Sequence, residues 1–219
     1  MDYIVKRIWD NIPKKVSKKP IAIFMMGLPA SGKSTSIIKV SELLKLDVDS
    51  LIHVDPDIFM SKLDEYNNSK ASEFNMMGVQ MSSKILNKIY ETSNYNYVYY
   101  GTGKNYKSYI TMINKAKKMG YETLLVYVRL GVTESIKRSK KRERRLSNSI
   151  IREINHRLKE KHRRKKGKVY VEQTNFEILQ EKVDNWIILD NSKMDSSSEV
   201  PRGRNLHLNN SSLNLKTNK

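Results

Sequence analysis

The chain contains no cysteine. Disulfides, thiolate metal sites and thiol nucleophiles are therefore excluded, whatever the fold. No apolar run approaches the ~20 residues that a membrane-spanning helix needs, so no membrane partner is expected. Residues 1–19 have no continuous apolar core and lack the shape of a secretory signal. The four histidines, His53, His156, His162 and His207, do not have metal-ligand spacing and are expected to be structural or exposed. Acids are scarce, with 23 Asp and Glu against 41 Lys and Arg, for a formal net charge of +18. An excess of that size points to polyanion contact or to a phosphate-rich substrate. No internal repeat is present.

What remains is organised around Gly27-Leu28-Pro29-Ala30-Ser31-Gly32-Lys33-Ser34-Thr35. This stretch fits G-x-x-x-x-G-K-[ST], the phosphate-binding P-loop. Its setting agrees. Residues 21–26 are an unbroken apolar run of strand length, as for a strand buried on both faces. Ile37, Val40 and Leu44 then recur at helical spacing, so a helix is predicted from near Lys33. Gly27 and Gly32 let the backbone turn and aim successive N–H groups at phosphates. The helix N-terminus adds partial positive charge. Lys33 is expected to reach the β- and γ-phosphates, Ser34 to ligate Mg²⁺, and Thr35 to donate to an inner phosphate. Pro29, Ala30 and Ser31 complete the cradle. Asn114-Lys115-Ala116-Lys117 lacks the acid of a guanine-specific N-K-x-D loop, which favours ATP over GTP. ATP use and the lack of cysteine together favour a cytoplasmic protein.

The rest of the chain reads as alternating strands and helices. Residues 1–10 suggest a short helix and 14–19 a basic connector. Strands are predicted at 51–54, 95–100, 123–128 and 186–189. Helices are predicted just after Pro56 and at 74–90, 106–119, 133–145, 149–161 and 175–182. The stripe Met77, Met81, Ile85 and Ile89 reads as core packing. The order implies an open, mostly parallel α/β sheet with crossover helices. In such sheets the ligand sits at the carboxyl ends of the strands. The P-loop, Asp55 and Asp57, residues 101–104 and the segment after Val128 all fall there. Beyond Asn191 the polar residues 192–219 read as a disordered tail.

Charge is concentrated in residues 137–168, which hold sixteen Lys and Arg against three Glu, a net +13. The helix expected at 133–145 has almost no apolar face beyond Ile136. A helix that cannot bury itself is a candidate lid. Arg142 and Arg145 stand three apart, hence on one helical face, with Arg138 a turn earlier. Guanidinium groups there suit the charge that develops on a transferring phosphoryl; the alternative is a solvated basic face. Residues 161–168 suggest a polyanion contact, a localisation-type signal or a solvated surface run. Asp57 is placed to orient an attacking hydroxyl, or alternatively is a helix N-cap or first-turn acid favoured by the macrodipole. Asp55 is the second candidate for that task and a possible indirect Mg²⁺ ligand.

In their order and spacing these pieces resemble the zeta-toxin family of P-loop kinases over residues 20–191. The resemblance rests on the P-loop, on Val54-Asp55-Pro56-Asp57-Ile58-Phe59, on Gly101-Thr102-Gly103-Lys104, on Gly120-Tyr121-Glu122-Thr123 and on Arg142 and Arg145. It implies transfer of the γ-phosphate of ATP to a hydroxyl, in the characterised toxins that of a UDP-linked amino sugar. It implies that Asp57 is the catalytic acid, that Lys104 faces substrate beside Thr102, and that Arg142 and Arg145 clamp the triphosphate. For a toxin it also implies a small inhibitory partner. Two positions depart from the family pattern. Tyr100 stands where an acid often precedes the Gly-Thr pair, and Ser83 aligns with a substrate-binding glutamate. The rival reading within enzymes is a polynucleotide 5′-hydroxyl kinase, favoured by the +13 segment. Outside enzymes, the rival is a nucleotide-gated nucleic-acid-binding module.

Overall fold

A computed structural model describes residues 1–67, 71–142, 146–167, 169–191 and 207–208. The chain runs from helix α1 (Asp2–Asn11) to strand β1 (Ile21–Met26) and helix α2 (Lys33–Leu44). After a 3-10 turn come β2 (Ile52–Val54), α3 (Pro56–Met60), α4 (Ala71–Thr92), β3 (Tyr97–Tyr100) and α5 (Tyr106–Lys118). Then follow β4 (Glu122–Arg129), α6 (Val132–Ser139), α7 (Asn148–Lys159), β5 (His162–Lys166) and β6 (Val169–Gln173). Helix α8 (Asn175–Gln180), β7 (Asn185–Asp190) and β8 (His207–Leu208) complete the described chain.

Strand β1 lies inside the main sheet, whose order is β2-β3-β1-β4-β7-β8. The first five of these strands are mutually parallel, and β8 runs antiparallel on β7. All six residues of β1 are apolar and buried, because a strand paired on both sides and covered on both faces meets no water. Ala22, Phe24 and Met26 point into one core with Met81, Ile85 and Ile89 of α4, Ile113 of α5 and Ile154 of α7. Ile21, Ile23 and Met25 point into the other, with Ile37 and Val40 of α2. The methionine and isoleucine stripe of α4 is therefore core, as its spacing predicts. The parallel sheet with helices on both faces is the architecture that the strand order implies. Among the described residues no helix is long and apolar enough to cross a membrane.

Three features differ from the expectation. The basic helix expected at 133–145 stops at Ser139, and the chain turns. Continuing it would stack Lys137 on Lys140 and Lys141, and Arg138 on Arg142, at helical i+3 and i+4 spacings where like charges repel. Arg142 therefore does not share a helical face with Arg138, and Arg145 lies outside the described residues. Next, β5 and β6 form an antiparallel hairpin turned at Gly167, which has a positive φ of 58°. Its first strand, His-Arg-Arg-Lys-Lys, carries no apolar alternation that would signal a strand. Finally, His207–Leu208 pair with β7 inside the segment read as a disordered tail; residues 192–206 and 209–219 lie outside the described residues.

Gly78 sits where α4 crosses the start of α3. A Cβ there would lie 2.4 Å from the carbonyl oxygen of Pro56. Alanine would favour the helix by about 1 kcal/mol over glycine, but overpacking against a fixed backbone costs about 1–3 kcal/mol. The steric term is expected to win. Gly78→Ala should lower the urea midpoint of unfolding, whereas a raised midpoint would show that α3 yields freely to α4.

Candidate nucleotide and acceptor site

The loop between β1 and α2 is shaped by glycine at two points. Gly27 has φ 144°, and a Cβ on it would stand 2.4 Å from the carbonyl oxygen of Val128 in β4. Gly32 is the N-cap of α2 in the left-handed region, φ 87°. The first bond of the α2 ladder is Ser36 N–H to the Gly32 carbonyl, which leaves the preceding amides outside the helix ladder. Ser31 Oγ in the loop and Asn191 Oδ1 beside it are buried and have no hydrogen-bond partner among the described residues. Left-handed glycines, amides outside the ladder and a dense backbone cradle are what a triphosphate requires. The residues present thus fit the triphosphate of a nucleotide such as ATP.

Lys33 is folded back on this loop. Its Nζ donates to the carbonyls of Gly27, at 3.0 Å, and Leu28, at 2.9 Å. Burial pushes its pKa down from 10.5 to about 8; the Arg142 guanidinium pushes the same way, while Asp55 and Asp57 oppose. Lys33, Arg142, Asp55 and Asp57 therefore share one electrostatic neighbourhood, although they come from three separate stretches of the sequence. Pro56 at the first helical position and an acid before it start α3. Asp55 is its N-cap and accepts from Asp57 N–H at 2.9 Å. Capping thus falls to Asp55, and Asp57 stands in the first turn beside it. Burial raises the Asp55 carboxyl above its usual range, with the Asp57 charge adding to the effect.

Tyr100 accounts for one departure from the family pattern. Its hydroxyl lies 2.9 Å from His53 Nδ1, with the two rings stacked. Burial and the Asp55 charge hold the phenol well above its ordinary pKa, so this position offers a neutral hydroxyl and no carboxylate. Ser83, where the toxins have a glutamate, is exposed on α4.

Residues 101–104 run alongside the P-loop, since the Thr102 carbonyl accepts from Gly27 N–H at 3.2 Å. Thr102 Oγ1 accepts from Lys104 N–H, and Lys104 is exposed at the edge. Helix α6 packs straight onto the P-loop, with Ser135 Oγ donating to the Pro29 carbonyl at 2.7 Å. Arg138 bonds Glu134 and the backbone carbonyl of Asn191, so it braces α6. Arg142 is exposed beyond the end of that helix.

The sequence reading missed Asn191. This buried residue closes β7, donates from Nδ2 to the Ser31 carbonyl at 2.8 Å, and lies where a Cβ on Gly32 would approach to 2.9 Å. Its place at a strand end was the available signal. Among the described residues no three His, Asp or Glu side chains cluster in a way that would hold a metal. Ser34, exposed at the start of α2, still fits Mg²⁺, which is usually bound by one or two protein groups together with phosphates.

The zeta toxin family profile matches residues 6–193, nearly the whole described domain. The chain belongs to the zeta toxin family. Solved structures agree on the fold. A chain of the PezAT chromosomal toxin–antitoxin system of Streptococcus pneumoniae superposes with a TM-score of 0.70 at 17% identity, over 97% of this chain and 82% of that one. A chain of the AvrRxo1-ORF1:-ORF2 complex with ATP superposes at 0.61 and 11% identity, over 87% of this chain but only 63% of that longer one. No curated protein matches the chain. The family assignment and the site make this a P-loop phosphotransferase of the kinase type.

The lowered pKa of Lys33 has a measurable consequence. Between about 8 and 10.5 the unfolded chain holds a proton on this lysine that the folded protein has released. Raising the pH through that window therefore favours the folded state, and the penalty of the buried charge is present in full below it. Urea unfolding of wild type and Lys33→Met should show wild type gaining stability relative to the variant as pH rises from 8 to 10.5. A constant difference across the window would contradict the buried-charge account.

Proposed function

We propose that this protein transfers the γ-phosphate of ATP to a hydroxyl of a small acceptor, a nucleotide sugar being the class implied by the family. What supports the reading is that buried Lys33, folded on the P-loop, feels the charges of Arg142, Asp55 and Asp57, and that the same loop is bonded through Gly27 N–H to the Thr102 carbonyl. On this reading the loop amides and Thr35 take the phosphates, and Lys33 exchanges the Gly27 and Leu28 carbonyls for phosphate oxygens. The Arg142 charge balances what develops on the phosphoryl in flight. Asp57 orients the acceptor hydroxyl and takes its proton as oxygen bonds to phosphorus and ADP departs. Mg²⁺, held by Ser34, would supply further charge neutralisation on the phosphates. Asp55, Thr102 and Lys104 form the acceptor side, and Arg145 belongs to the same proposal as a second clamp.

A nucleic-acid acceptor has less support. Of the basic side chains on β5, Arg164 and Lys166 are paired to Glu181, and Arg163 stands opposite Glu172 in the hairpin register and over the Tyr170 ring. The charge seen in the sequence is partly spent within the fold. An inhibitory protein partner is part of the proposal, because the PezAT relative belongs to a toxin–antitoxin system. So is a cytoplasmic setting, where ATP is supplied.

The test is incubation with γ-labelled ATP and a panel of UDP-linked amino sugars, nucleosides and 5′-hydroxyl oligonucleotides. Label is expected on a small acceptor. Asp57→Asn should lower turnover by roughly 10²–10⁴ with ATP affinity retained, and Lys33→Ala by at least ~10². Arg142→Ala should reduce turnover more than ATP binding. Labelling confined to oligonucleotides would replace this reading with the polynucleotide kinase.

A further inference from the structure

The sequence marks residues 161–168 as a basic run without a task, and the structure gives the run a position. It forms β5, and the hairpin register sets His162 opposite Gln173, at the open end of the hairpin. From there His162 reaches two elements. Its ring packs on Tyr106, with centroids 4.8 Å apart. Its Nε2 lies 2.8 Å from Oδ1 of Asn175, the first residue of α8.

Asn175 is buried, and its Nδ2 donates to two carbonyls of the loop after β3, Gly103 at 2.9 Å and Lys104 at 3.1 Å. These bonds fix the orientation of the amide, because the flipped form would set an oxygen against two carbonyl oxygens. Oδ1 must then face His162, and His162 must carry its proton on Nε2. The hydrogens are thus assigned by the network itself.

The same loop is held from its other sides. The Thr102 carbonyl is bonded to Gly27 N–H. Gly103, at φ 79°, lies so close under Met26 that a Cβ would come within 2.7 Å of the Met26 methyl. The hairpin in turn is fastened to α8. Lys166 bonds Glu181 at 2.5 Å, Arg164 bonds Gln173 at 3.4 Å, and Gln173 bonds Glu181. A capping box between Thr174 and Glu177 fixes the start of α8, and with it the backbone of Asn175.

We propose that His162 and Asn175 are positioning residues that hold Thr102 and Lys104 in place for the acceptor, with the basic hairpin as their brace. This deepens the kinase reading and rests on its assignment of residues 101–104 to the acceptor side. Neither side chain touches ATP or the reacting atoms; both act through the loop. Displacing a substrate-facing group by about 1 Å is enough to cost up to about 10²-fold in rate, and a stranded buried acceptor leaves the loop free to shift.

The test compares His162→Phe, which keeps the ring contact with Tyr106 and removes the donor, with His162→Gln, which restores an N–H. Transfer from ATP to a UDP-linked amino sugar by wild type tests the underlying reading. Hydrogen exchange of the peptide covering residues 101–106, read by mass spectrometry, needs no acceptor and tests the tether separately. His162→Phe is expected to speed that exchange and to lower kcat/KM for the acceptor about tenfold, the scale of one buried hydrogen bond lost. Its ATP hydrolysis without acceptor should stay within about twofold of wild type, and His162→Gln should recover both losses. Unchanged exchange in His162→Phe would overturn the proposal, even if the sugar proves to be the wrong acceptor. So would a parallel loss of ATP hydrolysis, which would make the bond a matter of general stability.

Discussion

The absence of a side chain at Gly27 is the constraint on which the site depends. Strand β1 lies between β3 and β4, and its last residues leave the sheet pressed against the β4 backbone. With any Cβ at Gly27 the loop would have to lift off the Val128 carbonyl. The start of α2 would lift with it, and so would the amides that face the phosphate position. The buried apolar strand, the tight turn and the helix N-terminus are thus one device, each part useful only with the others in register.

Around that device the protein spends its polar contacts on holding backbone. Ser135 bonds the Pro29 carbonyl, Asn191 bonds the Ser31 carbonyl, and Asn175 bonds the carbonyls of Gly103 and Lys104. None of these side chains need meet a ligand. Each satisfies a buried or half-buried carbonyl, which costs most to strand where water is excluded, and in doing so braces a loop at the strand ends. Even Lys33 takes part, donating to two loop carbonyls. Burial lowers its pKa, with the Arg142 charge adding to the effect and Asp55 and Asp57 opposing it.

The basic segment shows how far linear charge can mislead. A net +13 over 137–168 reads as an arm for polyanions. In three dimensions it divides. Arg138 bonds Glu134 within α6 and the Asn191 carbonyl after β7, the Arg142 charge is felt at Lys33, and Arg164 and Lys166 are drawn to Glu181. Paired side chains have less to offer an outside polyanion than their number suggests.

The sequence by itself determined the P-loop, the order of the five parallel strands with the helices between them, and the acids after β2. All of these are local: periodicity over a few turns, a fixed glycine spacing, a proline after an aspartate. It also pointed to a β1 buried on both faces, because a strand apolar at every position has no face suited to water. Tertiary structure alone decided where α6 stops, that a run of cations is a strand, and which polar side chains hold the loops. The physical reason is range. Asn175 and Gly103 are 72 positions apart, and Asn191 and Ser31 are 160 apart. A carbonyl that needs a donor leaves no trace in the residues beside it; the donor is identified only when the sheet brings the two ends of the chain together.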